Sequence, residues 1–420
     1  MEPPLPKNDD RLTSSQRRAV EARGNVLVMA GAGTGKTHTL VERCLDCLCR
    51  EQPPASLEDI LVVTFTEAAA AEMRRRLGEQ IQDKLQAEPG ELRWTEQLAL
   101  FDAANIGTLH SFCLKLVREH FHELGLDPQL AVLDAGESRL LAEETLDEEL
   151  QTHYAGQNEL AVAVQKLIQV YGGGRDLVIR RLVLHLHNYA QTRPDAPGWL
   201  AKQIERFAAP TPDDWREWLI DAVQAWRDEW APELEKLTPE NEKASECLKI
   251  LQKLPAEFSR KQAAAVLQEI QAAATTWPPR RKTVLLKPLE RFFADAEFLV
   301  SLAPVENDHD PLAEDWGWVR SHMEALLRLT QNFSARFAGR KRADGVLDFH
   351  DLEQFALTLL WDFAADRPKS AAEHWRGKIR FVFVDEYQDI NAAQDKIIQA
   401  LSRDAWWGET PGEPSKTSVL

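Results

Sequence analysis

Two short stretches of this sequence carry residues suited to moving a phosphoryl group. The first is Ala30-Gly31-Ala32-Gly33-Thr34-Gly35-Lys36-Thr37. Its glycines let backbone N–H groups turn inward around an anion, and a helix that follows adds the partial positive charge of its N-terminus. Lys36 can reach the β- and γ-phosphates of a nucleoside triphosphate, and the Thr37 hydroxyl can hold Mg2+. Ala30 stands where the strict phosphate-loop pattern has its first glycine. The second stretch is Asp385-Glu386, followed by Tyr387-Gln388-Asp389. Phosphoryl transfer to water needs a cation on the phosphates and a group that orients the water. Asp385 suits the cation, held through water, and Glu386 suits the orientation or deprotonation of the attacking water. The bland alternatives are a glycine turn and a surface acid pair. The apolar run before each stretch, and the presence of both in one chain, favour the phosphate chemistry.

Both stretches need elements to position them. The apolar run 26–29 predicts a buried strand that feeds the glycine loop, with a helix after it. Residues 59–66 predict a second strand, with Thr66 as cap of a helix in which Met73, Leu77, Ile81 and Leu85 recur every four residues. Residues 105–112 predict a third strand running into a helix. Residues 379–384 predict another, ending in the acidic motif. Strands separated by helices imply a parallel sheet, whose ligands sit at the C-terminal strand ends. Thr13 and Gln16 have capping-box spacing at the start of a helix that runs to about Arg23. Asp348-Phe349-His350-Asp351 precedes an amphipathic helix with Leu352, Phe355, Ala356, Leu359, Leu360 and Phe363 on one face.

Between about 137 and 345 the character changes. β-branched runs become rare, and Leu, Ala, Glu and Trp dominate. Trp215, Trp218, Leu219, Ala222, Trp226 and Trp230 follow helical spacing and predict a packed helix face. Gly172-Gly173-Gly174 predicts a helix-ending turn. Trp277-Pro278-Pro279-Arg280-Arg281-Lys282 reads as an exposed proline linker or as a contact for a nucleic-acid backbone. The organisation expected is a loose tail over 1–10, an α/β domain in two parts over 11–136 and 346–404, a helical insertion over 137–345, and a polar tail over 405–420.

The bulk composition bounds the rest. The chain has 420 residues, 44% hydrophobic and 28% charged, which fits a soluble globular protein of about two or three domains. A net charge of −17 excludes a protein that coats nucleic acid by charge alone. Residues 11–50 are nonetheless locally positive, with Arg11, Arg17, Arg18, Arg23, Lys36, Arg43 and Arg50 against Glu21, Glu42 and Asp46. No apolar run approaches the ~18 residues of a membrane span, so no membrane partner is expected. The N-terminus has no apolar signal region, and the five cysteines fit a reducing cytoplasm. Cys44, Cys47 and Cys49 lie close together, but core and surface thiols on a helix explain them better than a metal site.

With both stretches in view, the sequence resembles the N-terminal part of superfamily 1 DNA helicases of the UvrD/Rep type, most closely the AddA/RecB branch of helicase–nuclease subunits. The resemblance spans about residues 12–403. Residues 30–37 match the family's first motif, Ala30 included. The segment from Leu12 to Val20 resembles its adenine-reading segment, with Gln16 as the base contact. Val63-Thr64-Phe65-Thr66 through Ala71-Glu72-Met73, and Gly107-Thr108-Leu109-His110-Ser111-Phe112-Cys113, resemble its next two motifs. Val384 to Asp389 resembles its acidic motif. Tyr171-Gly172-Gly173-Gly174-Arg175, and Leu347-Asp348-Phe349 with Asp351-Leu352, resemble the AddA-type inserted subdomain and its exit.

The resemblance implies a RecA-like P-loop sheet with a large inserted all-helical subdomain. It implies an ATP-dependent DNA helicase with ATP and Mg2+ as cofactors, acting in repair or recombination. The implied partners are single-stranded DNA and a second subunit of a helicase–nuclease complex. It implies ATP contacts from Gln16, Ala30, Gly31, Ala32, Gly33, Thr34, Gly35, Lys36 and Thr37, and metal contacts from Thr37 and Asp385. Lys36, Glu386 and Gln388 become catalytic, with Gln388 sensing the γ-phosphate. Thr64, Phe65, Thr66, His110 and Ser111 become the lining of the single-strand path, although Phe65 also reads as a core aromatic. Glu67 departs from the family, which often has Asn there. After Ile397 to Leu401 the family continues with a further motif and a second motor domain; the sequence here instead leads to the expectation of a truncated helicase that unwinds little alone. Two other classes remain open. One is a non-catalytic subunit for DNA binding or assembly. The other is a nucleotide switch or small-molecule kinase that ignores DNA.

Overall fold

The computed structural model describes residues 12–31, 33–303 and 310–403. The tails over 1–10 and 405–420, and Ala32, lie outside the described residues. Seven strands are assigned among those described: β1 Ile60–Thr64, β2 Asn105–Thr108, β3 Ala131–Val132, β4 Val346–Leu347, β5 Trp361–Asp362, β6 Arg367–Pro368 and β7 Phe381–Val384. The remaining regular structure is helical. The chain divides into two compact units. The first comprises Met1–Gln151, Arg180–Leu200 and Thr330–Leu420, and the second Thr152–Ile179 and Ala201–Leu329.

In the first unit, β1 is the centre of a parallel sheet of order β2-β1-β7. Every residue of Ile60-Leu61-Val62-Val63-Thr64 is buried, as a continuous apolar run in a strand covered on both faces should be. Side chains alternate across a strand. Ile60 and Val62 therefore enter a core with helices α2 (Lys36–Arg50) and α3 (Glu67–Ala87), through Val41, Cys44, Leu48, Met73, Leu77 and Ile81. Leu61 and Val63 enter the opposite core with α4 (Leu109–Glu119), α5 (Phe349–Leu360) and α6 (Ala392–Leu401), through Phe112, Leu116, Leu352, Leu357, Leu360 and Ile397. Thr66 caps α3 by accepting a hydrogen bond from the Ala69 amide at 3.1 Å, as its position before the helix predicts.

Pairing sets the register that matters for chemistry. Val63 lies opposite Gly107 on one side and Val384 on the other. The C-terminal ends of all three strands therefore share one edge of the sheet. The Asp385 amide extends the ladder by donating to the Val63 carbonyl at 2.8 Å. A short parallel pair, β3 with β4, brings residues 131–132 against 346–347.

Two expectations fail in this unit. Residues 26–29 are not a buried strand: none is assigned to a strand, and Val26, Leu27, Val28 and Met29 are 38%, 37%, 45% and 69% exposed. Apolar composition reports a tendency to be buried, whereas a strand also needs a neighbouring backbone to pair with. Among the described residues 26–29 form no ladder with β7. Phe363 is the second failure. The helical period runs only to Leu360, the chain then extends into β5, and Phe363 is left 38% exposed.

The second unit is helical. Asp213–Leu237, Glu242–Leu251, Arg260–Thr275 and Glu290–Ser301 surround a core that includes Leu219, Val223, Trp226, Trp230, Leu267 and Phe292. Trp226 stacks on Phe292 with ring centroids 4.9 Å apart. The tryptophan stripe thus packs only in part, because Trp218 and Ala222 turn out of the core while Val223 turns in. Gly173 ends the helix Glu159–Gly172 in a left-handed conformation, the turn expected of the three glycines. Trp277 is half-buried, edge-on to Phe293, while Arg280 and Arg281 are exposed in the loop and Lys282 is exposed at the start of the short helix Lys282–Leu286.

Candidate phosphate site and nucleic-acid segments

The glycine loop ends on the N-terminus of α2. Gly33 and Gly35 sit at φ of 77° and 86°, a region closed to most side chains. At Gly35 a Cβ would also meet the Gln16 side-chain nitrogen at 2.9 Å. The loop is braced from both sides. Thr34 donates its hydroxyl to the Gly31 carbonyl at 2.8 Å, and Gln16 Nε2 donates to the Thr34 carbonyl at 3.0 Å. Gln16 also completes a capping box with Thr13 on helix α1 (Ser14–Glu21). Gln16 therefore fills its structural role and lies against the phosphate loop as well. The first turn of α2 has no acidic residue and no side-chain cap. Its amides and dipole remain available to an anion.

The acidic motif faces this loop. Glu386 has left-handed backbone, φ 54° and ψ 47°, a sparsely populated conformation for a residue other than glycine. Its carboxylate receives Lys36 Nζ at 2.9 Å on Oε1 and 3.1 Å on Oε2, and the Gln388 amide on Oε2. The hydrogen bond to Glu386 raises the Lys36 ammonium above its ordinary pKa, and the hydrogen bonds from Lys36 and then Gln388 lower the Glu386 carboxyl. Asp385 behaves oppositely. Burial, and then the negative charge of Glu386, push its carboxyl up. Two adjacent carboxylates, one of them reluctant to ionise, are the chemistry a divalent cation relieves. Asp385 therefore supplies an oxygen donor of the kind Mg2+ takes.

The comparisons with known proteins decide the family. The model described as UvrD/REP helicase N-terminal domain matches residues 12–405. The chain belongs to this family. It is 28% identical to an ATP-dependent helicase/nuclease subunit of Clostridioides difficile, over 93% of this chain and 33% of that protein. It is 31% identical to the proteins of the same name in Bacillus anthracis and Bacillus cytotoxicus, over 94% and 96% of this chain and 34% of each relative. The chain spans about a third of the length of the curated relatives it matches. A UvrD-type N-terminal domain implies a RecA-like fold, and the three-stranded parallel sheet is of that kind. No helix among the described residues is long and apolar enough to cross a membrane.

The segments that resemble the UvrD-type strand-binding motifs lie at the ends of β1 and β2. Phe65 is 61% exposed, so its ring is not a core aromatic. Thr66 is exposed and spends its hydroxyl on the α3 cap. Thr64 is buried, and its hydroxyl donates to the Thr66 carbonyl at 3.0 Å. Ser111 donates to the Thr108 carbonyl at 2.7 Å, and Thr108 donates to Glu67 at 2.7 Å. His110 lies half-exposed against Phe349, its Nε2 2.8 Å from Glu353. Phe65 and His110 are thus the two of these five that present rings to solvent.

Several readings of charge and thiols now have a place. Asp46 is buried and pairs with Arg23 and Arg43 at 2.8 Å and with Arg50 at 3.6 Å. Arg23, just past α1, thus ties that end of the chain to α2, while Arg43 and Arg50 pair with Asp46 within α2. Cys44 and Cys47 are buried in the sheet core; burial raises both thiols, Cys47 to about 11. No group of three or more His, Cys, Asp or Glu side chains among the described residues could hold a metal. Sequence reasoning missed Glu353. Its signal was an acid at the helical spacing of Ala356, Leu357 and Leu360, on the face of α5 that packs inward.

Proposed function

We propose that this chain is the ATP-binding, single-stranded-DNA-binding part of an AddA-type DNA helicase motor. In this reading Lys36, Thr37 and the loop amides hold the triphosphate, and Gln16 lies against the adenine side. Asp385 holds Mg2+, Glu386 orients the attacking water, and Gln388 reports the γ-phosphate. Mg2+ neutralises charge on the phosphates when bound; the rest is done by side chains of this chain. The observation that carries the reading is the meeting of Lys36 and Glu386, one from each chemical stretch, at hydrogen-bonding distance.

The same reading assigns 11–136 and 346–404 to one RecA-like domain and 137–345 to a helical insertion. Phe65 and His110 contact the strand, with Thr64, Thr66 and Ser111 shaping the turns that carry them. Contacts of ring faces and amides with bases and phosphates read no sequence, which suits a motor. The relatives are named as subunits, which supports a partner from the same helicase–nuclease complex. Work in DNA repair or recombination in the cytoplasm follows from the same likeness.

The test is binding of a fluorescent ATP analogue with Mg2+ to the purified chain. Saturable binding, abolished in Lys36→Ala, is expected. Binding that survives the substitution removes the assignment of the loop. ATP turnover that rises with added oligothymidylate is the expected second result, and indifference to single strands favours a nucleotide switch without DNA.

A further inference from the structure

We infer that Glu353 is a positioning residue that joins the His110 segment to the helix behind the acidic motif, so that nucleotide at the phosphate loop changes the grip on single-stranded DNA. The inference rests on the roles proposed above for the phosphate loop and His110, and adds to them the residue that links the two. Glu353 sits in the middle of α5 with its side chain 1% exposed. A carboxylate so buried stays ionised only if donors surround it. Burial would raise its pKa, yet hydrogen bonds from His110 and Gln394 bring it below the ordinary value.

The donors come from two other elements. His110 Nε2, in the first turn of α4, is 2.8 Å from Oε1. Gln394 Nε2 donates to Oε1 at 2.6 Å, and Asn391 Nδ2 to Oε2 at 3.4 Å. Asn391 and Gln394 form the capping box at the start of α6, and Asn391 lies two residues past Asp389, the last residue of the acidic motif. Glu353 therefore receives the strand-facing histidine on one side and the continuation of the water-orienting loop on the other. Because the carboxylate accepts from Nε2, that nitrogen carries a proton, and the half-exposed ring is held 5.0 Å from Phe349. A shift of the acidic loop when nucleotide binds moves Asn391 and Gln394, and the shared carboxylate passes it to His110. An apolar residue at 353 would fill the core equally well but would transmit nothing.

The experiment uses the full chain, a fluorescein-labelled oligothymidylate, and adenylyl imidodiphosphate with Mg2+. In the unsubstituted chain the nucleotide should change oligonucleotide affinity on the order of fivefold or more, as coupled sites usually do. In Glu353→Gln the ratio should fall to near one while nucleotide affinity is kept, and the His110 ring nitrogens should shift in 15N NMR, which loss of packing alone does not produce. An unchanged ratio in Glu353→Gln overturns the inference. So does an unsubstituted chain that binds both ligands without any effect of one on the other, and that outcome leaves the proposed function standing. A chain that binds no nucleotide removes both. If Glu353→Gln fails to fold, Gln394→Met takes its place: it withdraws one donor, leaves His110 paired, and should give an intermediate ratio, an unchanged one again overturning the inference.

Discussion

Lys36 and Glu386 stand 350 positions apart in the chain, and their side chains meet at 2.9 Å. The ammonium that should bind phosphate is held by the carboxylate that should orient water. Each group favours the charged form of the other. A triphosphate entering the loop competes with Glu386 for Lys36. Glu386→Gln should therefore tighten nucleotide binding a few-fold while slowing turnover by roughly 10²–10⁴, the usual worth of a general base. Titration of a fluorescent ATP analogue checks the first effect and phosphate release the second. Weaker binding in the variant would show that the pair is not a competitor for the phosphates.

Gly35 tests the loop geometry. It needs φ of 86°, and an added Cβ meets Gln16 at 2.9 Å. Left-handed backbone costs an L residue ~1–2 kcal/mol. Gly35→Ala should weaken nucleotide binding about tenfold or more and break the hydrogen bond from Gln16 to Thr34. Gly33→Ala has the same backbone constraint, with nothing within 4 Å of its Cβ, and should be milder. Equal affinities for the two variants would rule out a contribution from Gln16.

The contrast between these residues and the segment before them shows what the sequence made legible. That Lys36 and Glu386 would meet was legible because phosphate chemistry pairs a lysine-bearing glycine loop with an acidic motif, and β1, β2 and β7 were readable from runs of apolar and β-branched residues. The segment 26–29 has the same composition as β1, yet it is exposed, because hydrophobicity does not say whether a pairing edge is present. Glu353, Asp46 and Lys341 were not legible either. A buried charge is recognisable only when its partners are known, and those partners come from distant parts of the chain. In the tryptophan stripe Leu219, Trp226 and Trp230 face the core as read, and the misreading is one step of the helix, with Val223 rather than Ala222 turned inward.

His187 gives a pH signature. It is buried between Phe333 and Phe337, with Nδ1 2.8 Å from Ser334 Oγ, whose proton goes to the Thr330 carbonyl. The serine oxygen therefore accepts from a neutral imidazole. Burial, with Lys341 nearby, pushes the pKa from its ordinary value down to about 3. A depressed folded-state pKa means that the unfolded chain takes up the proton first. The stability this group contributes is complete above about pH 6.5 and declines as pH falls toward 3, by ~1.4 kcal/mol per unit. His187→Leu should remove that slope between pH 6 and 4. Urea unfolding at pH steps measures it, and parallel slopes in the two proteins would mean that His187 does not titrate with folding.

Lys341 carries the last prediction. It is 3% exposed, lies 2.7 Å from both Asp348 and Asp351, and its ammonium sits 4.2 Å from the Phe337 ring centroid. Asp348 is also the N-cap of α5, so this one cation holds the start of the helix that carries Glu353. Burial raises the Asp348 carboxyl, but Lys341 outweighs it and the net shift is down, while burial leaves Asp351 raised. Lys341→Met keeps the volume and removes the charge, leaving the buried Asp348 and half-buried Asp351 carboxylates without their shared cation. Removing one partner of a buried ion pair typically costs ~3–5 kcal/mol. Protonation of Asp351 would relieve part of this, so the loss should be smaller at pH 5 than at pH 8. Asp351→Asn in the Lys341→Met background should recover stability at pH 8, because it withdraws the repulsion without disturbing the cap made by Asp348. Urea denaturation of the single and double variants decides the matter: a double variant no more stable than the single would mean that Lys341 acts through packing on Phe337 and not through its charge.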